Sequence, residues 1–269
     1  MRHGAYRFFI RDWNELKDIK QLVDALSSNR FSVNLEPVLM SGPNGKRIFV
    51  IAPHPDDEML GPGGTLIHAI NNNAAVRVLH LTQGRPSSAA QTVSEAMEVA
   101  NRFGYDTVQF EYFSKGIPLD DLCVSALIRE IEEFEPDTIM LPFFGDDHDD
   151  HRRASHILLL ALDRVPTLGR IEIWAYQVYS SIIPNVIVDI SEVANLKREA
   201  IKIWKSQSHR RDWAHYALGL NAYNSRFLTG VLGEAYAEMF FVLPAKDYCD
   251  MCRCYFQKAT SPYYSQNYV

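Results

Sequence analysis

Four short apolar runs, "RIFVIAP", "VRVLHLT", "TVQFEYF" and "TIMLPF", alternate with stretches of helical period at Thr65 to Asn72, Ser88 to Phe103 and Asp120 to Phe134. Runs this rich in β-branched and aromatic residues suit strands covered on both faces. Strand followed by helix, repeated, requires parallel crossovers. The pattern predicts an α/β fold: a Rossmann-like, mostly parallel sheet with helices on both faces, its core at about residues 45–165. Farther on, "IEIWAY", "NVIVDI" and "MFFVLP" read as strands, and Ser191 is placed to N-cap a helix running to about Lys205. Residues of about 166–269 then form a smaller C-terminal α+β portion of one domain spanning 1–269. A helix at about Trp13 to Leu26 precedes the turn signal "SGPNG". The strip 207–237 carries several aromatics without a clean period and reads as a lid or an interface.

In open parallel sheets, ligands sit beyond the carboxyl ends of the strands. Two polar clusters fall there. "HPDDE", residues 54–58, follows the first apolar run, and "FFGDDHDDH", residues 143–151, ends the fourth and continues past it. Adjacent carboxylates repel one another and are costly to desolvate unless a cation compensates, so the first cluster suggests a metal. A hydrolytic zinc site takes three ligands from His, Asp and Glu and leaves a position open. His54 and Asp57 can supply a close pair, and His148 or His151 the distant ligand. Asp56 is then placed as general base. The remaining histidine can stabilise an oxyanion, with Asp150 holding its imidazole cationic. The plainer alternative is that Asp57 or Glu58 starts a helix and "HDDH" is a solvated loop. His68, His80, His156, His209 and His215 are read as structural or surface residues.

"PHPDDEMLGPGGTL" and "HDDH" resemble the first and second motifs of the LmbE-like, or PIG-L, zinc-dependent de-N-acetylases. "PNVIVDISEVANLKREAIKIWKSQ" and "GEAYAEMFFVLP" are similar to later segments of that family, most closely its diacetylchitobiose deacetylase branch. The resemblance runs from about residue 46 to 245. It implies a Rossmann-like fold, Zn2+ (or another divalent metal) on His54, Asp57 and His151, Asp56 as base, and His148 as polariser or proton donor tuned by Asp150. The activity it implies is removal of the N-acetyl group from an N-acetylglucosamine-type sugar or glycoconjugate, by an enzyme that is a homo-oligomer. Three departures stand out. Asp149 replaces the usual proline of the second motif, which loosens the loop. Thr92 and Val93 stand about where the family often has a substrate-contacting arginine, for which Arg85 is a substitute. The segments before 45 and after 245 match nothing in the family.

A net charge of -6 offers no basic footprint for nucleic acid or an anionic membrane. The longest apolar run, Ile157 to Leu162, is too short to span a bilayer. The opening residues lack a secretory pattern. Cys249, Cys252 and Cys254 form a C-x2-C-x-C cluster without a partner pair, and read as reduced thiols. A cytoplasmic enzyme is the expectation. Trp174, Tyr176 and Tyr179 are candidates to stack on sugar rings, although strand aromatics are more often core. Two other function classes compete: a metal phosphoesterase, which needs more ligands than the sequence offers, and a non-catalytic metal-binding assembly protein. Retention of Asp56, which the metal does not need, argues against the second.

Overall fold

The computed structural model describes residues 36–164, 170–208 and 211–256. The helix expected at Trp13 to Leu26, and His209, lie outside them. The strands are Val38–Met40 (β1), Arg47–Ala52 (β2), Ala75–Thr82 (β3), Asp106–Tyr112 (β4), Thr138–Pro142 (β5), Glu172–Tyr176 (β6), Val186–Asp189 (β7) and Ala237–Pro244 (β8). They form one 8-stranded sheet in the order β1-β7-β8-β6-β5-β2-β3-β4. Every pairing is parallel except those of β8, which runs antiparallel to β6 and β7. The mostly parallel α/β expectation holds, and the C-terminal strands extend the same sheet.

Side chains alternate across each strand, so both faces of the sheet are apolar. Ile48, Val50 and Ala52 face one core with Trp174, Tyr176 and Phe240. Phe49 and Ile51 face the other with Leu79, Ile139 and Phe241. The first core is covered by helices at Asp57–Leu60 (α1), Gly63–Asn71 (α2), Ala89–Phe103 (α3), Ala194–Ile203 (α6) and Trp213–Asn224 (α7). The second is covered by Asp121–Phe134 (α4), Asp149–Leu162 (α5) and Ala245–Phe256 (α8). Cys249 and Cys252 are buried in that second core, where burial raises both thiols and Cys249 reaches about 12. Cys254 is exposed, so the three do not share one environment. No helix among the described residues is long and apolar enough to cross a membrane.

Three local readings can be placed on the structure. Ser191 does not N-cap a helix. It opens a short 3-10 turn, Ser191–Val193, and its N–H and hydroxyl both donate to Asp189 Oδ1, at 2.9 and 2.6 Å. The Asp189 carboxylate thus bonds the chain two residues on, as aspartate does in turns. Trp174 and Tyr176 are core residues: Trp174 is fully buried, and the Tyr176 hydroxyl donates to the Ile51 carbonyl at 3.1 Å. The strip 207–237 contains α7, whose inward row is Ala214, Ala217, Leu218, Asn221 and Asn224.

Two glycines explain why the first motif ends as it does. A Cβ on Gly61 would lie 2.3 Å from the Tyr176 ring, and one on Gly64 would lie 2.6 Å from Ile190 Cγ2. Both positions bring backbone against a rigid, buried side chain. Gly64→Ala should therefore destabilise the protein by ~1–3 kcal/mol, the usual cost of overpacking. Urea unfolding measures it.

Candidate functional site

The chain reverses direction across the sheet between β2 and β5. From β2 the order runs outward to β3 and β4, whereas β5 lies on the other side of β2 and leads to β6. Crevices at such switch points hold the ligands of open α/β sheets. His54–Glu58 leaves the carboxyl end of β2, and 143–151 leaves that of β5, so the two clusters are neighbours in space.

The segment after β2 makes an unusual turn. Asp56 has φ 118 and stands as the N-cap of α1. A non-glycine residue in that region carries backbone strain of ~1–3 kcal/mol, and such strain concentrates at functional sites. The conformation is held from both sides. The Asp56 N–H donates to Glu58 Oε2 at 3.1 Å, and its carbonyl accepts from the N–H groups of Met59 and Leu60 at 2.9 and 2.8 Å. Glu58 in turn is buried beside the Tyr105 hydroxyl at 3.1 Å and His80 Nε2 at 3.2 Å. His80 is thus structural, as read from the sequence.

Asp57 sits in the first turn of α1, fully buried, and two imidazoles converge on one of its oxygens. His54 Nδ1 lies 3.1 Å from Asp57 Oδ2, and His151 Nε2 lies 3.2 Å from the same atom. The other oxygen, Oδ1, is buried without a hydrogen-bond partner among the described residues. Burial opposes charge on all three groups, yet their mutual attraction wins. His151 and His54 pull Asp57 well below the usual carboxylate range. Asp150 and Asp57 lift His54 to about 9, and Asp57 and Asp146 lift His151 to about 9. The pocket stabilises positive charge where these donors meet. A divalent cation would take the place of the protons on these imidazoles, and the two ring nitrogens and the carboxylate, with its buried Oδ1, form a donor set that fits one. His148 also belongs to the group, since ligand atoms of His54, His148 and His151 lie within 4.8 Å of one another.

The second cluster is built on the start of α5. His148 is its N-cap, and its Nδ1 accepts from the Asp150 N–H at 3.1 Å. That bond leaves the ring's proton on Nε2 when the imidazole is neutral. Burial, with the nearby charges of His54 and His151, lowers the pKa of His148. His148 is thus set up as a neutral N–H donor rather than the cation read from the sequence. The Asp150 carboxylate faces His54 and not His148. Its carboxylate lies 2.9 Å from His54 Nε2 and accepts the Lys115 N–H at 2.7 Å, whereas His148 Nδ1 is 4.0 Å away. The first turn of α5 aims the Asp150 side chain back across the crevice, so it orients His54. His151, also in the first turn of α5, is fully buried.

Asp146 is the site residue that sequence reasoning passed over. Its Oδ1 lies 3.0 Å from His151 Nδ1 and accepts the His148 N–H at 2.9 Å. Its Oδ2 accepts from the N–H groups of Tyr179 and Ser180 at 3.1 and 3.3 Å. A carboxylate behind a ligating histidine is the usual outer support of a metal site, and the available signal was an acid five residues before His151. Tyr179 stacks on the His151 ring at 5.3 Å, and Trp213 of α7 lies 6.1 Å from Tyr179. Asp56 is buried, and burial together with the Asp57 charge raises its pKa well above the ordinary value. Thr92 is buried and donates to the Ser88 carbonyl at 2.9 Å, and Arg85 is exposed.

The family model for GlcNAc-PI de-N-acetylase, PIG-L, matches residues 49–162. Over 193 residues the chain is 24% identical to a diacetylchitobiose deacetylase of Thermococcus kodakarensis, covering 62% of this chain and 72% of that one. An N,N'-diacetylchitobiose deacetylase structure from Pyrococcus horikoshii matches with a TM-score of 0.67 at 21% identity, over 85% of this chain and 94% of that one. A 4-carboxy-2-hydroxymuconate hydratase from Pseudomonas putida KT2440 matches with a TM-score of 0.61 at 19% identity, over 73% and 95%. At these identities the structural likeness is one of fold. The matched segment contains both motifs and every residue gathered around Asp57, and it is over this segment that the chain is similar to the PIG-L, or LmbE-like, family.

Proposed function

We propose that this protein is a metal-dependent hydrolase that removes the N-acetyl group of a 2-acetamido sugar, releasing acetate and a free amine. The observation that carries the proposal is the convergence of His54 and His151 on buried Asp57, with Asp56 beside them in a strained turn. The likeness to diacetylchitobiose deacetylase supports an N-acetylglucosamine-type substrate. His54, Asp57 and His151 would hold the cation, zinc being the first candidate for two imidazoles and a carboxylate. Asp150 and Asp146 orient the two histidines from behind. When bound, such an ion supplies Lewis acidity that lets water lose a proton near neutral pH.

The protein's own residues do the rest. Asp56, made more basic by burial and by Asp57, takes the proton from the attacking water. His148 Nε2–H donates to the carbonyl oxygen as negative charge develops there. Asp56 then returns its proton to the departing nitrogen, and the C–N bond breaks. His148 is spared as a ligand because Asp150 caps its Nδ1 and its ring is 29% exposed, towards substrate. His148→Ala should cut acetate release by roughly 10²–10³-fold, the usual cost of one oxyanion donor. Metal content, read by mass spectrometry, should not change.

Assaying metal-loaded protein for acetate release from N-acetylglucosamine, N,N'-diacetylchitobiose and a sugar nucleotide tests the reading. Phosphate release from phosphomonoesters should stay at background. Because the same fold carries a hydratase, hydration of an unsaturated hydroxy acid belongs in the panel. Acetate release supports the proposal. Phosphate release or hydration without acetate overturns it.

A further inference from the structure

Lys197 of α6 and Glu238 of β8 form an ion pair, Nζ to Oε1 at 2.7 Å, that the proposed chemistry does not use. Lys197 is 0% and Glu238 2% exposed. Buried pairs of this kind contribute little net stability, so their placement calls for another reason. The Lys197 ammonium also donates to the carbonyls of Leu60 and Gly61 at 3.1 and 3.0 Å, and to Asn221 Oδ1 at 2.9 Å. Glu238 accepts from the N–H groups of Gly64 and Thr65 at 2.7 and 2.8 Å, and from the Thr65 hydroxyl at 2.6 Å.

These contacts fall on the two helix ends that flank Pro62. Leu60 closes α1 and Gly61 is its C-cap, and the last carbonyls of a helix have no partner of their own. Gly64 and Thr65 stand in the first turn of α2, where N–H groups are the orphans. A cation suits the first end and an anion the second. At four residues α1 is too short to hold itself. It nevertheless carries Asp57 and is capped by Asp56. The carbonyls of Asp56 and Asp57 accept the Leu60 and Gly61 N–H groups at 2.8 and 2.9 Å, so fixing Leu60 and Gly61 fixes both acids.

We propose that the Lys197–Glu238 pair is a positioning element that sets Asp56 and Asp57 against the imidazoles after β2 and β5. It acts through the backbone of α1 and rests on the metal reading above. The test is the variant Lys197→Met with Glu238→Gln, which leaves no buried charge unpaired and keeps an acceptor for α2 but removes the donors to Leu60 and Gly61. Two measurements are made where variant and wild type are both folded by circular dichroism. The first is zinc binding to metal-stripped protein by calorimetry, and the second is a metal-free crystal structure of each. The expected result is zinc affinity weaker by roughly 10–100-fold, as for other outer supports of a metal site. The 3.2 Å approach of Asp57 Oδ2 to His151 Nε2 should also be lost in the variant. Wild-type affinity with that approach unchanged would overturn the proposal. If the double variant does not fold, Lys197→Arg, which keeps the charge but displaces the donors, is judged by the same two readouts. Should wild-type protein bind no zinc, the metal reading falls, and the crystallographic separation alone decides the positioning role.

Discussion

Replacing Asp56 with asparagine should reduce acetate release by roughly 10²–10⁴-fold, the range for loss of a general base. Metal and fold should be unaffected. Asparagine is nearly isosteric with aspartate and is among the few side chains that tolerate positive φ, so the turn at φ 118 survives. The Asp56 N–H still donates to Glu58, because that bond comes from the backbone. What is lost is only the capacity to take and return a proton. The check is acetate release alongside metal content of the purified variant. Near wild-type turnover would contradict the role. Loss of metal would instead show that Asp56 is a ligand and has exchanged places with Asp57.

His151→Ala should abolish metal binding and turnover together. The imidazole is fully buried between Asp57 and Asp146, and its removal leaves two carboxylates facing a cavity without a donor between them. Affinity should fall by more than roughly 10²-fold, beyond the 10–100-fold that loss of an outer partner costs. Asp146→Asn supplies that comparison, since it changes the support behind His151 and leaves every proposed ligand in place. Calorimetric titration of the metal-stripped proteins should therefore rank wild type, Asp146→Asn and His151→Ala in falling order. Equal affinity of His151→Ala and wild type would remove the assignment.

Much of this site was legible in the sequence because the apolar runs are strong and the acids follow them at once. Ile48 to Ala52 is uniformly buried, so its strand needs no partner to be recognised, and the polar residues beyond it can only lie at the sheet edge. Elements whose pattern is mixed were harder to read. The inward row of α7 includes Asn221 and Asn224, which are buried because Lys197 and Gln177 pair with them, and two polar residues on the core side erase the helical period. β1 is only three residues long, and two of them are exposed. The partner of Asp150 could not be read from "HDDH", since adjacency along the chain suggests His148 whereas the helix turn delivers the carboxylate to His54. Asp146 was hidden for a related reason. A supporting carboxylate is recognised by what stands in front of it, and that depends on the approach of β5 to β2.

Zinc-edge anomalous diffraction from crystals soaked in zinc bears most directly on the proposed centre. One peak is predicted, with nitrogen contacts to His54 and His151 near ~2.0–2.1 Å, Asp57 completing the protein ligands and His148 outside bonding distance. A peak bound by His148 with Asp57 unligated, or no peak at this crevice, would contradict it.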